Sequence, residues 1–185
     1  MQTKFILHGG YAKGVKQEND IFFSEILSSA PKEAKILLVY FAESDERVAG
    51  RTQDDHEQFE KNKGGRILSY EVASEQLFAE QAKTADIIYL HGGHTGRLLD
   101  ALKKISNLKE LFDGKIIAGD SAGANVLTTI FYSKTIGTSE GLGFIPIKII
   151  CHYLEEDKEK LEHMRSDLEI LFLSEYEIRT FLIDL

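Results

Sequence analysis

The sequence has little cysteine, no excess of basic residues and no long apolar run, and each shortage excludes a class of protein. Its one cysteine, Cys151, cannot form a disulfide framework within the chain and is typical of a reducing cytosol. Lysine and arginine number 22 against 30 acidic residues, a formal net charge of -8, so we expect no nucleic-acid partner. No 18 consecutive residues are apolar, and "MQTKFILHGG" carries no long apolar leader. We therefore expect no membrane contact and a cytoplasmic location.

Motifs for metals and nucleotides are also missing. H-E-x-x-H and paired cysteines do not occur, and the two glycines between His91 and His94 indicate a turn, not a helical ligand face. Neither G-x-G-x-x-G nor G-x-x-x-x-G-K-[ST] is present. We expect no metal and no cofactor.

What remains is the pattern of an α/β protein. Apolar strand-like runs such as "KILLVYF" (35–41), "DIIYL" (86–90) and "KIIAG" (115–119) alternate with segments of helical spacing. We predict a three-layer α/β sandwich around a mostly parallel sheet, built as a single domain over residues 1–185. Helical spacing also extends the helix after residue 121 to Phe131, and it predicts another helix over 161–171.

Three glycine-rich loops follow predicted strands: "HGGYAKG" (8–14), "HGGHTG" (91–96) and "GDSAGA" (119–124). Sites in parallel sheets lie beyond the carboxyl ends of the strands, where these loops gather. The third loop contains G-x-S-x-G between a strand and a helix, the setting of a nucleophile on a sharp turn. There Ser121 projects from the sheet, and the Ala122 amide lies at a helix start, where it favours an oxyanion.

A serine nucleophile needs a base, and four of the six histidines fall at or near strand ends: His8, His91, His94 and His152. Position favours His152, which closes the extended segment after the helix that follows Ser121. His94 remains open as an alternative.

Three stretches in order resemble the aspartyl dipeptidase (peptidase E) and cyanophycinase family of serine peptidases: "GGHTGRLLDAL" (92–102), "GDSAGANVL" (119–127) and "GLGFIPIKIICHY" (141–153). The resemblance implies a flavodoxin-like, class I glutamine amidotransferase-like sandwich. It also implies Ser121 as nucleophile, His152 as base, and an oxyanion hole formed by the amides of Gly93 and Ala122. Independently, the histidine follows the serine by only 31 residues, which argues against an ordinary α/β-hydrolase.

The sequence departs from this family at several positions. His94 stands where relatives have asparagine, and Asp120 replaces tryptophan or threonine; both are candidate substrate-binding residues. A carboxylate at 120 opposes an acidic substrate side chain, against the aspartate preference that the resemblance implies. The chain also ends with "FLIDL" (181–185), earlier than relatives, so we expect a terminal strand or substrate loop to be absent.

The orienting acid has two candidates. The dipeptidase branch places it between serine and histidine, where Glu140 is the acid present, also a candidate for substrate binding. The cyanophycinase branch places it after the histidine, which resembles the position of Glu175. Glu177 would share its face of a strand. We favour Glu175.

Two interpretations follow. The first is a serine peptidase-like hydrolase that cleaves a small peptide, with Asp-containing peptides included. The second is a non-catalytic member of the same fold that binds a small ligand or a protein partner. An edge strand or an exposed helix could also form a homodimer, although no pattern marks an interface.

Overall fold

In the computed structural model, which describes residues 2–11 and 13–185, ten strands form two sheets. The strands are β1 (Thr3–His8), β2 (Glu33–Val39), β3 (Ile67–Val72), β4 (Ile87–Leu90), β5 (Ile116–Asp120), β6 (Thr128–Ser133), β7 (Gly137–Glu140), β8 (Ile145–Cys151), β9 (Ile170–Leu173) and β10 (Ile178–Ile183). The helices are α1 (Asp20–Ser28), α2 (Asp45–Asn62), α3 (Phe78–Thr84), α4 (Thr95–Lys103), α5 (Leu108–Phe112) and α6 (Ala122–Leu127). Two 3-10 segments cover Gln17–Asn19 and Glu155–Leu161.

The larger sheet has the order β10-β1-β5-β4-β2-β3, parallel except for β10. Its apolar strands are covered on both faces. One core cluster packs α1 and α2 against one face, and a second packs α3 to α6 and the second sheet against the other. The predicted α/β fold with a mostly parallel sheet is confirmed.

The four-stranded sheet has the order β7-β6-β8-β9 and was not predicted as a separate layer. One predicted helix is too long, and another is absent. The helix after residue 121 ends at Leu127, and β6 begins at once, because "TTIFYS" is rich in β-branched and aromatic residues that favour strands. Over 161–171 the chain makes a 3-10 segment, a turn and β9 instead of one helix.

None of the helices in the described ranges is long and apolar enough to cross a membrane.

The parallel strands bring their carboxyl ends to one edge of the larger sheet. There the register sets His8, at the end of β1, directly beside Asp120, at the end of β5. Because β10 runs antiparallel to β1, the turn that precedes β10 reaches the same edge. The loops after β1, β4 and β5 therefore meet residues that are far away in sequence.

Candidate active site

Ser121 lies on a strained turn between β5 and α6. Its φ is 47° and its ψ is -98°, a backbone conformation that side chains rarely adopt. The turn closes only with glycines on both sides. A Cβ on Gly119 would come within 2.4 Å of the Gly123 carbonyl carbon, and a Cβ on Gly123 would come within 2.1 Å of the Leu90 oxygen. The G-x-S-x-G pattern therefore reflects close backbone packing.

His152 is the histidine that meets this serine. It follows β8 directly, also with a positive φ of 51°, and its Nε2 lies 2.9 Å from Oγ of Ser121. In the tautomer with hydrogen on Nδ1, the serine hydroxyl donates to Nε2. This is the arrangement that a base needs in order to take the hydroxyl proton.

The other nitrogen of His152 faces Glu175. Nδ1 lies 3.6 Å from Oε1 of Glu175, too long for a strong hydrogen bond, and the side chains are 36% and 47% exposed. The prediction that Glu175 and Glu177 share one face of a strand is wrong, because both residues lie in the turn before β10. Oε2 of Glu177 instead accepts the Ser174 amide hydrogen at 2.8 Å.

Two alternative candidates lie away from the Ser121–His152 contact. Glu140 is exposed on β7, opposite Ile130 in the second sheet, and no contact among the described residues joins it to His152. His94 is the N-cap of α4, where its ring accepts the Arg97 amide hydrogen at 3.3 Å. Neither residue lines the pocket at Ser121, whereas Asp120 does.

Backbone hydrogen bonds join the end of β1 and the loop after it to the segments that carry Ser121, His152 and Glu175. Three consecutive carbonyls, those of residues 8, 9 and 10, accept the amide hydrogens of Ser121 at 3.0 Å, His152 at 2.8 Å and Tyr176 at 3.2 Å. The last of these amides is next to Glu175. The sheet edge thereby sets the relative positions of the serine, the histidine and the carboxylate.

Close packing reinforces this loop. A Cβ on Gly10 would lie 2.1 Å from Cε1 of His152, so only glycine leaves room for the imidazole. The ring of Tyr11 meets the His152 ring edge-on, with centroids 5.4 Å apart.

A buried pair, His8 and Asp120, lies at the ends of β1 and β5, and Asp120 directly precedes Ser121 in the chain. Nδ1 of His8 is 2.8 Å from Oδ1 of Asp120, and His8 is inaccessible to solvent. The nearby thiol of Cys151 is buried as well, and burial raises its pKa, so this cysteine is a core residue and not a second nucleophile.

A second buried pair, His91 and Asp55, lies at the end of β4. Nδ1 of His91 is 2.9 Å from Oδ2 of Asp55, which also accepts a hydrogen bond of 2.8 Å from the Tyr40 hydroxyl. Burial raises the pKa of Asp55, although its hydrogen bonds to His91 and Tyr40 oppose the shift. Burial by itself lowers the pKa of His91, but the hydrogen bond to Asp55 and the surrounding negative charge raise it overall. The imidazole of His91 therefore stays protonated to higher pH than a free imidazole does.

Two backbone amides are candidates for an oxyanion site: Gly93 lines the same pocket as Ser121, and Ala122 follows Ser121 directly in the chain. Among the described residues, the amides of Gly93 and Ala122 donate no backbone hydrogen bond other than those within helices and strands. Gly93 has a φ of 142°, and a Cβ there would come within 2.7 Å of the Ala42 oxygen. The first turn of α6 and the loop after β4 therefore present unused donors at this edge.

A pocket of about 290 Å³ opens over these groups. Its charged lining comprises three basic and two acidic residues, namely Lys13, Arg47, Arg51, Glu43 and Asp120. Both arginines have contacts with Glu43, of 3.9 Å from Arg47 and 3.6 Å from Arg51. The pocket is thus locally basic in an acidic chain. No group of three or more His, Cys, Asp or Glu in the described ranges could hold a metal ion.

The sequence around Asp55 gives little sign of a buried carboxylate, because the segment is polar and is typical of an exposed helix. The helical period contained a signal: Asp55 lies four residues before Phe59, which is fully buried, so the two share a face of α2. No local pattern indicated that the loop after β1 would bind the amides of Ser121 and His152.

Comparison with known proteins bears on the family and the fold of the chain. The model of peptidase family S51 matches residues 5–178. The crystal structure of a peptidase from an acI-B1 Actinobacterium superposes with a TM-score of 0.73 at 21% identity, covering 98% of this chain and 84% of that chain. A peptidase E protein from Listeria monocytogenes EGD-e gives a TM-score of 0.65 at 19% identity and covers 100% of both chains. At this identity the structures show a shared fold. No curated protein matches the chain.

Proposed function

The chain belongs to peptidase family S51, the peptidase E family, and on that premise we propose that it hydrolyses a peptide or amide bond of a small peptide through an acyl-enzyme on Ser121. Family membership supports a peptidase. The serine mechanism, the residue roles and the substrate are the proposal. The observation that carries it is the 2.9 Å contact between Nε2 of His152 and the Oγ of a serine on a strained turn.

In this mechanism Oγ of Ser121 attacks the carbonyl carbon while His152 takes the hydroxyl proton. The amides of Gly93 and Ala122 stabilise the oxyanion of the tetrahedral intermediate. Collapse of that intermediate breaks the C–N bond, and His152 returns the proton to the leaving amine. Water then attacks the acyl-enzyme, with His152 again as base, and regenerates Ser121.

Glu175 is our choice for the acid that orients His152. Support comes from its place 3.6 Å from Nδ1, whereas Glu140 lies in the second sheet. The exposure of both partners means that the carboxylate acts mainly as a nearby charge that favours the imidazolium.

The pocket size supports a short substrate, because about 290 Å³ is at the lower end of the range of small-molecule sites. The two signs of charge in its lining fit a substrate with both an ammonium and a carboxylate group.

The test combines covalent labelling with hydrolysis. Wild type is expected to react with a fluorophosphonate at Ser121, located by mass spectrometry, and to release amino acids from members of a dipeptide panel that includes Asp-Xaa. Ser121→Ala should lose both reactions, with a drop of at least about 10³-fold in hydrolysis. Ser139→Ala, on β7 and outside the pocket, should retain both. A folded wild type without labelling would contradict the proposal and favour a non-catalytic binding protein.

A further inference from the structure

The pocket at Ser121 contains a buried carboxylate that the proposed mechanism does not use. Asp120 is only 4% exposed, precedes the nucleophile and lines the pocket. Burying a carboxylate is costly unless both of its oxygens find partners. The partner of each oxygen therefore indicates what the residue does.

Oδ1 is occupied by His8. Nδ1 of His8 lies 2.8 Å from Oδ1 and 3.1 Å from the Gly10 amide nitrogen, and these contacts require opposite roles of Nδ1. We assign the hydrogen to Nδ1, because the shorter contact to a carboxylate is the stronger one. A hydrogen on Nε2 instead would face no acceptor among the described residues. With this tautomer His8 donates its Nδ1 hydrogen to Oδ1 of Asp120.

Oδ2 has no protein partner. Among the described residues no donor lies within hydrogen-bonding distance of it. The oxygen is also absent from the buried polar atoms that lack a partner, so it is open to solvent. It lies against Gly92, where a Cβ would come within 2.6 Å of it. The glycine therefore leaves room for this oxygen at the pocket wall.

The cations of the pocket do not neutralise Asp120. Glu43 lies near Arg47 and Arg51, and Arg51 also lies 3.7 Å from Asp54. In the described ranges, no lysine or arginine lies within ion-pairing distance of Asp120, and its close contact is the hydrogen bond with the imidazole of His8. A carboxylate oxygen that accepts no hydrogen bond from the described residues therefore faces the pocket beside the nucleophile.

We propose that Oδ2 of Asp120 binds an ammonium group of the substrate, an inference that rests on the proposed function. An α-ammonium group is the best fit, because it is two bonds from the carbonyl carbon that Ser121 attacks, and Asp120 is the neighbouring residue. His8 is then a positioning residue, since it holds Oδ1 and directs Oδ2 to the pocket. The site selects peptides with a free amino terminus.

The first test is protection of Ser121 from fluorophosphonate labelling, which requires no turnover. L-Alaninamide carries the ammonium group, and N-acetyl-L-alaninamide lacks it. In wild type, alaninamide should slow labelling at concentrations roughly 10- to 100-fold lower than the acetylated amide does. Asp120→Asn should remove this difference. Asp157→Asn, which removes a buried carboxylate outside the pocket, should retain it.

A second variant tests the same site in case Asp120→Asn does not fold. Gly92→Ala keeps the charge but pushes a methyl group against Oδ2, and residue 92 has no positive φ that would strain an alanine. It should also lose the preference for alaninamide. Hydrolysis of alanyl-alanine, its N-acetyl derivative and Nα-acetyl-lysyl-alanine then separates an α-ammonium from a side-chain ammonium; we expect only the first to be cleaved efficiently.

The outcomes separate this inference from the proposed function. Labelling of wild type with equal protection by both amides would overturn the ammonium site and leave the serine hydrolase intact. Absence of labelling would contradict the hydrolase. In that case a rise in melting temperature with alaninamide, seen in wild type but not in Asp120→Asn, still supports the ammonium site, and its absence overturns it.

Discussion

Two kinds of histidine–carboxylate pair occur around the same pocket. His91 and Asp55 are buried, 2.9 Å apart, and held further by Tyr40. His152 and Glu175 are partly exposed and 3.6 Å apart, although His152 is the imidazole that touches Ser121. Of these two pairs, the better-formed one does not contain the imidazole that touches Ser121.

The difference lies in what positions each imidazole. Burial and side-chain hydrogen bonds hold His91, so loss of its partner leaves polar groups unsatisfied in the core. His152 is held through its backbone by the loop after β1 and by contact with Gly10. Changes at the buried pair should therefore alter stability first, and changes at the exposed pair should alter activity first.

The largest effect is expected from removing the buried carboxylate. Asp55→Ala leaves Nδ1 of His91 and the Tyr40 hydroxyl without a partner and should lower the free energy of unfolding by about 3 kcal/mol. Urea denaturation measures this change. The matched control is Asp54→Ala, the neighbouring residue with a looser contact to Arg51, which should cost less than about 1 kcal/mol. Equal costs for the two variants would show that the buried pair has no special role in stability.

The position of His152 can be changed through Gly10, the glycine that packs against its ring. Gly10→Ala places a methyl group where the His152 ring lies and should lower kcat on the order of 100-fold, since small displacements of a base are costly. Gly14→Ala is the control, because Gly14 also has a positive φ, 78°, but a Cβ there meets nothing within 4 Å. If both variants lose activity equally, backbone strain in the loop and not contact with His152 is responsible.

Glu175→Gln tests the exposed carboxylate itself. We expect kcat to fall roughly 10- to 100-fold, because a nearby charge that stabilises the imidazolium is lost. The free energy of unfolding should change by less than about 1 kcal/mol, as is usual for exposed pairs. Glu140→Gln should leave both quantities unchanged, and a reversed result would assign the acid to β7.

The smallest effect concerns pH. The pKa of His91 is raised in the folded protein, so its protonation stabilises the fold below the unfolded value of about 6.5, and this contribution is lost as the pH rises through the folded value. The free energy of unfolding should therefore decline above pH 6.5 more steeply in wild type than in His91→Gln. Parallel pH profiles would mean that Asp55, Asp120 and Glu43 do not raise that pKa.

Much of the fold could be predicted because local patterns specify it. The apolar runs that became β2, β4 and β5 are buried on both faces, and the glycines around Ser121 mark a turn that only small residues allow. Prediction failed where two local signals compete. In β6, Phe131 has helical spacing from Leu127, but the β-branched residues of the segment and its pairing with β8 favour a strand.

The sequence by itself determined that a serine would stand on a strained turn at the edge of a parallel sheet, since a few neighbouring residues decide that conformation. Only the tertiary structure decided which histidine meets the serine, which glutamate lies behind it, and that His8 binds Asp120. The contact partners are 31 residues apart for Ser121 and His152, and 112 residues apart for His8 and Asp120. Such contacts depend on strand order and register, which arise when the whole core packs and which no short stretch of sequence contains.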